Sequence, residues 1–212
     1  MSVLEQIGEN LMKGKAKDVA TLVEQALSEG IDPEKILNEG LLPGMNTIGV
    51  RFKNNEVYVP EVLIAARAMK AGSEILRPRL AEAGVEPKGT VVIGTVKGDL
   101  HDIGKNLLGM MIEGSGLKVI DIGIDAEADK FVEAAKENKA QVIGVSALLT
   151  TTMTNMKAVV DALKASDVAD NTKVMIGGAP VTQAFCDEIG ADGYAPDAAS
   201  GAELAKSLAG VD

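Results

Sequence analysis

One histidine, His101, stands in the run Gly98-Asp99-Leu100-His101-Asp102-Ile103-Gly104. An imidazole is a metal ligand and a proton carrier near neutral pH. A carboxylate two residues before it, Asp99, can accept the imidazole N–H and raise the basicity of the nitrogen that faces a metal. The plainer alternatives are a packed or surface histidine and, for Asp99, a cap at the end of a strand. A zinc site needs three or four His, Cys or carboxylate ligands. This chain has one His and one Cys, Cys186. His101 would therefore most easily complete a metal that arrives with its other ligands already attached. A macrocyclic cofactor meets that requirement. Haem and corrin both qualify, and the residues themselves do not choose between them.

The elements around His101 decide whether it can be reached. Thr90-Val91-Val92-Ile93-Gly94-Thr95-Val96 reads as a buried strand, and 103–113 reads as the helix that follows the histidine loop. The same alternation continues. Strands are expected at 118–123, 141–148, 173–178 and 191–195, and helices at 127–138, 152–165, 181–189 and 198–209. Five βα units imply an α/β fold with a five-stranded, doubly wound parallel sheet of the flavodoxin-like or Rossmann-like kind. Such a sheet places its ligand outside the carboxyl ends of the strands, at the switch point between strands 1 and 3. Those ends carry Asp99-Leu100-His101 and Ser146-Ala147-Leu148.

Other residues near those ends have possible roles. Asp102 reads as the N-cap of the next helix. Gly104 opens that helix where a side chain would obstruct a bulky ligand, and Gly177-Gly178 after strand 4 suggests a similar need from another wall. A tight strand-to-helix turn explains paired glycines equally well. Thr150-Thr151-Thr152 favours a loop or a first helical turn, with hydroxyls free to bind a ligand or cap the helix.

Residues 1–83 have a different texture. Leu4, Ile7 and Leu11, then Val19, Leu22, Val23 and Leu27, recur at helical spacing. Ile36 to Phe52 is largely apolar, with an interruption expected at Pro43-Gly44. A long helix is expected from about Pro60 to Leu76, ended or kinked by Pro78. These signals imply an N-terminal four-helix bundle. Residues 84–89, bounded by Gly84 and Gly89, form the expected linker to the α/β domain at 90–212.

The bulk numbers exclude several classes. With 46% hydrophobic and 25% charged residues, the 212-residue chain can bury a core and stay soluble. A net charge of −10 and 2% aromatics argue against a nucleic-acid surface. No run reaches membrane-spanning length, and Met1-Ser2-Val3-Leu4-Glu5 lacks the basic and apolar regions of a signal peptide. The single cysteine suits a reducing cytoplasm.

The combination Asp99-x-His101-x-x-Gly104, Ser146-x-Leu148 and Gly177-Gly178 resembles the cobalamin-binding domain of methionine synthase and of corrinoid methyl-carrier proteins. It selects corrin over haem. Gly44-Met45-Asn46, Gly49, Phe52 and Pro60 resemble the signature of the helical cap in the same family. The resemblance implies that His101 is the lower axial cobalt ligand, in place of the cofactor's own dimethylbenzimidazole, and that Asp99 hydrogen-bonds it. It places the third member of that relay at Thr152, where the family more familiarly has Ser. It assigns cofactor contact to the loop residues Gly98, Leu100 and Asp102 and to Leu148, and places Ser146, Thr150 and Ala198 at the displaced nucleotide tail. That tail would enter a slot framed by Gly104 and Gly177-Gly178. Phe52 and Val59 would cover the upper face, although bundle core is an equal reading for both.

The implied activity is carriage of a methyl group on cobalt, from a substrate-specific methyltransferase to a second one acting on tetrahydrofolate or coenzyme M. A reductive activator protein would be a further partner. The chain would not be catalytic alone. His101 would leave and rejoin the metal during the cycle, and a hinge at 84–89 would let the cap move aside. A cobalamin-binding subunit of an adenosylcobalamin-dependent isomerase shares the histidine loop but needs no helical cap. A cobalamin sensor would need a basic DNA-reading segment. A phosphorylation receiver would need Asp where Ser146 ends strand 3.

Overall fold

Ser2 accepts the Glu5 N–H while Glu5 reaches back to the Ser2 N–H, and this reciprocal cap starts α1 (Val3–Met12). The structure is a computed structural model describing residues 1–211. α2 is Ala16–Ser28 and α3 is the single turn Pro33–Lys35, capped by Asp32. A π-helical stretch, Ile36–Leu41, leads directly into α4 (Leu42–Lys53), and α5 runs from Val59 to Glu82. Ile7, Leu11, Val19, Val23, Ile36, Leu41, Met45, Ile48 and Leu76 form the buried interior of this unit.

Two sequence expectations need correction here. Pro43-Gly44 does not interrupt the helix. Pro43 follows directly on the looser π-helical turn, in which the Leu42 N–H donates to the Leu37 carbonyl, and Gly44 lets α4 close on α1. A Cβ at Gly44 would lie 3.0 Å from the Gly8 carbonyl. Nor does α5 end near Leu76. It continues through Pro78 to Glu82. Pro78 is exposed, so the carbonyl it frees can reach water, and the half-buried Leu80 carries the apolar face onward.

The chain divides into two units. One is Met1–Pro87 with Gly114–Gly116, and the other is Lys88–Glu113 with Leu117–Asp212, of which Asp212 lies outside the described residues. The second unit contains β1 (Thr90–Thr95), β2 (Lys118–Asp121), β3 (Val142–Ser146), β4 (Lys173–Gly177) and β5 (Gly193–Ala195), all parallel, in the order β2-β1-β3-β4-β5. The order reverses between β1 and β3, as the βα pattern predicts. The strands are shorter than the apolar runs. β2 stops at Asp121 because residues 122–126 turn to hydrogen-bond the exit of β1 instead.

α6 (Ile103–Glu113) and α11 (Ala198–Ala209) cover one face of the sheet. A Cβ at Gly109 would lie 2.8 Å from Ile93, which shows how closely α6 approaches β1. α7 (Ala128–Asn138), α8 (Thr150–Met153), α9 (Met156–Lys164) and α10 (Gln183–Ile189) follow β2, β3 and β4. Phe131, Met156, Val160 and Ile189 bury the opposite face with Val92, Ile143, Val145, Val174 and Ile176. Cys186 is buried in that core.

One charged group is buried beside the first turn of α6. The Lys105 side chain is 3% exposed, and its ammonium donates to Asp121 at the end of β2 and to Asn106 Oδ1 at 2.7 Å. Asp121→Ala strands that ammonium without its counter-charge. The variant is expected to lose about 3 kcal/mol of stability in urea unfolding, the lower end for a buried pair because Asp121 is itself part-exposed.

Candidate functional site

The carboxyl ends of β1 and β3 lie side by side, with Thr95 paired to Ser146. Beyond them the chain makes two exits, the loop 96–102 and the segment 147–150, and Asp99 joins the two. Its carboxylate is fully buried. Oδ1 accepts the His101 backbone N–H at 3.1 Å and lies 2.7 Å from the imidazole Nδ1. Oδ2 accepts the Leu148 N–H at 2.8 Å, the Leu149 N–H at 3.3 Å and the Thr152 hydroxyl at 2.6 Å. Burial opposes the charge on Asp99. The hydrogen bonds from Thr152, Leu148 and His101 outweigh it and hold the carboxyl well below the usual carboxylate range. Asp99 is therefore an anion near neutral pH, and its Oδ1 favours a proton on Nδ1 of the imidazole.

Nε2 is the nitrogen left over. The His101 side chain is half exposed, and Leu100 (67% exposed) and Ile103 (74% exposed) flank it in sequence. Leu148 and Leu149 add further exposed apolar surface at the neighbouring exit. A half-exposed imidazole on loops that also carry exposed leucines and isoleucine suits a broad, largely apolar ligand carrying a metal at its centre. Among the described residues, no group of three or more His, Cys, Asp or Glu could hold a metal ion. The donor set therefore fits a metal already held by a macrocycle and does not fit a bare ion.

The other residues singled out by sequence fall at several places. Gly98 has φ +80° and lies in the exposed part of the loop. The Asp102 carboxylate accepts the Asn106 side-chain amide at 3.2 Å, so its contact is with the second turn of α6. Gly104 has nothing within 4 Å of a built Cβ, so packing inside the chain does not require glycine there. Ser146 ends β3, Thr150 opens α8, and Ala198 opens α11 and is part-buried. Phe52 in α4 and Val59 at the start of α5 belong to the helical unit and are part-buried, outside its fully buried core.

Gly177 and Gly178 have a reason internal to the fold. Gly178 has φ +133°, and a Cβ there would lie 1.8 Å from the Ala147 carbonyl. Gly178→Ala should therefore cost about 3 kcal/mol or more in thermal or urea unfolding, whether or not a ligand is present.

Three further residues hold the histidine loop, and sequence reasoning passed over them. The buried Thr95 donates its hydroxyl to the His101 carbonyl at 2.9 Å. Asn155 donates its amide to the Lys97 carbonyl at 2.8 Å. Asp125 accepts the Gly98 N–H at 2.7 Å. The only hint for Thr95 was a hydroxyl at the carboxyl end of a largely apolar strand.

Known proteins match this chain over nearly its whole length. A B12 binding domain model matches residues 89–203, and a second B12 binding domain model matches 3–77, so the helical unit carries its own match. A corrinoid protein of Desulfitobacterium hafniense is 43% identical over 99% of both chains. A dimethylamine corrinoid protein of Methanosarcina barkeri is 42% identical over 97% of both. Among solved structures, a cobalamin-binding protein from Desulfitobacterium hafniense superimposes with a TM-score of 0.79 at 30% identity, covering 97% of this chain and 98% of that one. A chain of the methanol:cobalamin methyltransferase complex from Methanosarcina barkeri reaches 0.85 at 28% identity, covering 98% of this chain and 80% of its own. The isomerase alternative required no helical unit, and here that unit matches as well. This chain belongs to the family of B12-binding corrinoid proteins.

Proposed function

We propose that this chain carries a methyl group on a corrinoid held at the carboxyl end of its sheet, with His101 as the lower ligand. The observation that carries the reading is the exposed imidazole whose Nδ1 is fixed by a buried, ionised Asp99. When bound, the cofactor supplies a cobalt centre able to accept a methyl group from one partner and yield it to another.

The chain's own residues present and orient. His101 offers Nε2, and Asp99 keeps the proton on Nδ1 and stabilises any positive charge the ring acquires. Thr152 and the Leu148 N–H keep Asp99 from rotating away. Gly98, Leu100, Asp102, Gly104, Ser146, Leu148, Thr150, Gly177, Gly178 and Ala198 are proposed to line the remainder of the cofactor site, and Phe52 and Val59 to serve its upper face. Residues 1–83 are proposed as a protective cap and 84–89 as the hinge that moves it.

The proposed partners are a substrate-specific methyltransferase, a second methyltransferase acting on tetrahydrofolate or coenzyme M, and a reductive activator. Dimethylamine and trimethylamine corrinoid proteins at 42–44% identity support a methylamine as the donor, ahead of methanol. Among the described residues no helix is long and apolar enough to cross a membrane. The single cysteine supports a reducing cytoplasm as the site of action.

The test is reconstitution with cobalamin, followed by methyl transfer from methylamines, methanol and aryl methyl ethers in the presence of the cognate methyltransferases. Stoichiometric corrinoid binding with methyl transfer from one donor class supports the reading. A protein that takes up no corrinoid overturns it.

A further inference from the structure

Three non-glycine residues among those described have positive φ. Lys139 is the C-cap of α7, and Asn55 lies in the turn after α4, so both have ordinary reasons. Asp125, with φ 50°, lies in the loop between β2 and α7. That loop runs beside the exit of β1. Thr95 N–H donates to the Gly123 carbonyl at 3.0 Å, and Ala126 N–H donates to the Thr95 carbonyl at 3.0 Å. Asp125 departs from this line. Its N–H donates to the Asp99 carbonyl at 3.1 Å, and its carboxylate accepts the Gly98 N–H at 2.7 Å.

Neighbouring residues 125 and 126 therefore hold positions 99 and 95, four apart on the facing segment. The left-handed turn accompanies that divergence. Asp and Asn tolerate this conformation, Gly adopts it freely, and Ala does not. Gly98, whose N–H Asp125 accepts, is also left-handed with φ +80°, a conformation that glycine adopts freely.

Resting on the proposed role of His101, we infer that Asp125 is a positioning residue for the histidine loop. It holds the backbone on both sides of the peptide linking Gly98 to Asp99, so that the Asp99 carboxylate meets Nδ1 of His101 with Nε2 left free. It touches neither the imidazole nor the ligand site directly.

The experiment compares Asp125→Asn, Asp125→Gly and Asp125→Ala in the full chain. Isotopically labelled histidine reports the ring of His101 by NMR without cofactor, because the chain has no other histidine. The same label reports histidine bound to cobalt(II) by electron paramagnetic resonance after cobalamin is added. Asp125→Ala is expected to lower the ratio of histidine-bound to histidine-free cobalt about tenfold, the worth of a lost charge-assisted hydrogen bond with added backbone strain. Asp125→Asn, which keeps an acceptor, should stay near wild type. Asp125→Gly, which keeps only the turn, should fall between them. The ring signals of His101 without cofactor should shift in the same order.

A folded Asp125→Ala protein with wild-type ring signals and a wild-type cobalt ratio overturns the inference. If that variant does not fold, equality of the Asn and Gly variants overturns it instead. If wild-type protein shows no histidine nitrogen on cobalt, the proposed site fails, and the cofactor-free ring signals still decide the role of Asp125.

Discussion

His101→Ala is expected to abolish the nitrogen signature that labelled histidine leaves on protein-bound cobalt(II), and to shift the visible spectrum of the loaded protein. The chain has no second histidine to substitute, and Cys186 is buried elsewhere in the core. Methyl transfer through the loaded variant should slow about 10- to 100-fold, the range seen when a metal's ligand environment is damaged. Stability in the absence of cofactor should change little, because the ring is half exposed and the Asp99 carboxylate keeps the backbone N–H of residue 101 as a donor. A His101→Ala protein with an unchanged spectrum would show that another group holds the metal.

Asp99→Asn should have the larger effect on the protein itself. Asparagine has the same shape but offers only one acceptor oxygen. Asp99 uses both of its oxygens, one for the His101 N–H and imidazole, the other for Leu148, Leu149 and Thr152. Whichever way the amide turns, its NH2 faces donors. The expected loss is about 3 kcal/mol in urea unfolding, from unsatisfied buried groups. The pH dependence follows from the direction of the shift. The Asp99 carboxyl is lowered from its ordinary 3.8, so its contribution to stability is present above about pH 4. It is lost as pH falls further toward the folded-state value. Wild type should therefore lose stability more steeply than Asp99→Asn below pH 4, and parallel curves would contradict the ionised assignment.

Some of this was legible in the sequence. The pair Asp99 and His101 is two residues apart, the only histidine is conspicuous, and four apolar β-branched runs plus a short fifth strand, alternating with helices, place that pair at the switch point. Thr152 needed the family resemblance, because a third threonine in a row looks like a helix cap. Thr95, Asp125 and Asn155 were out of reach for a physical reason. Each binds a backbone atom, and a sequence does not show where carbonyls and N–H groups point. Pro78 misled because the rule against proline inside helices assumes that the freed carbonyl has no other partner. On an exposed face it has water.

The two oxygens of Asp99 are assigned to different tasks. One belongs to the imidazole, and the other is committed to the exit of β3. Were His101 to ligate a metal as proposed, releasing the ring would need only the side-chain torsions of one residue. The mooring stays attached to the sheet throughout. On that reading a ligand exchange that would otherwise ask a loop to melt and re-form would be a rotamer change, with the loop backbone still held by Thr95 and Asp125.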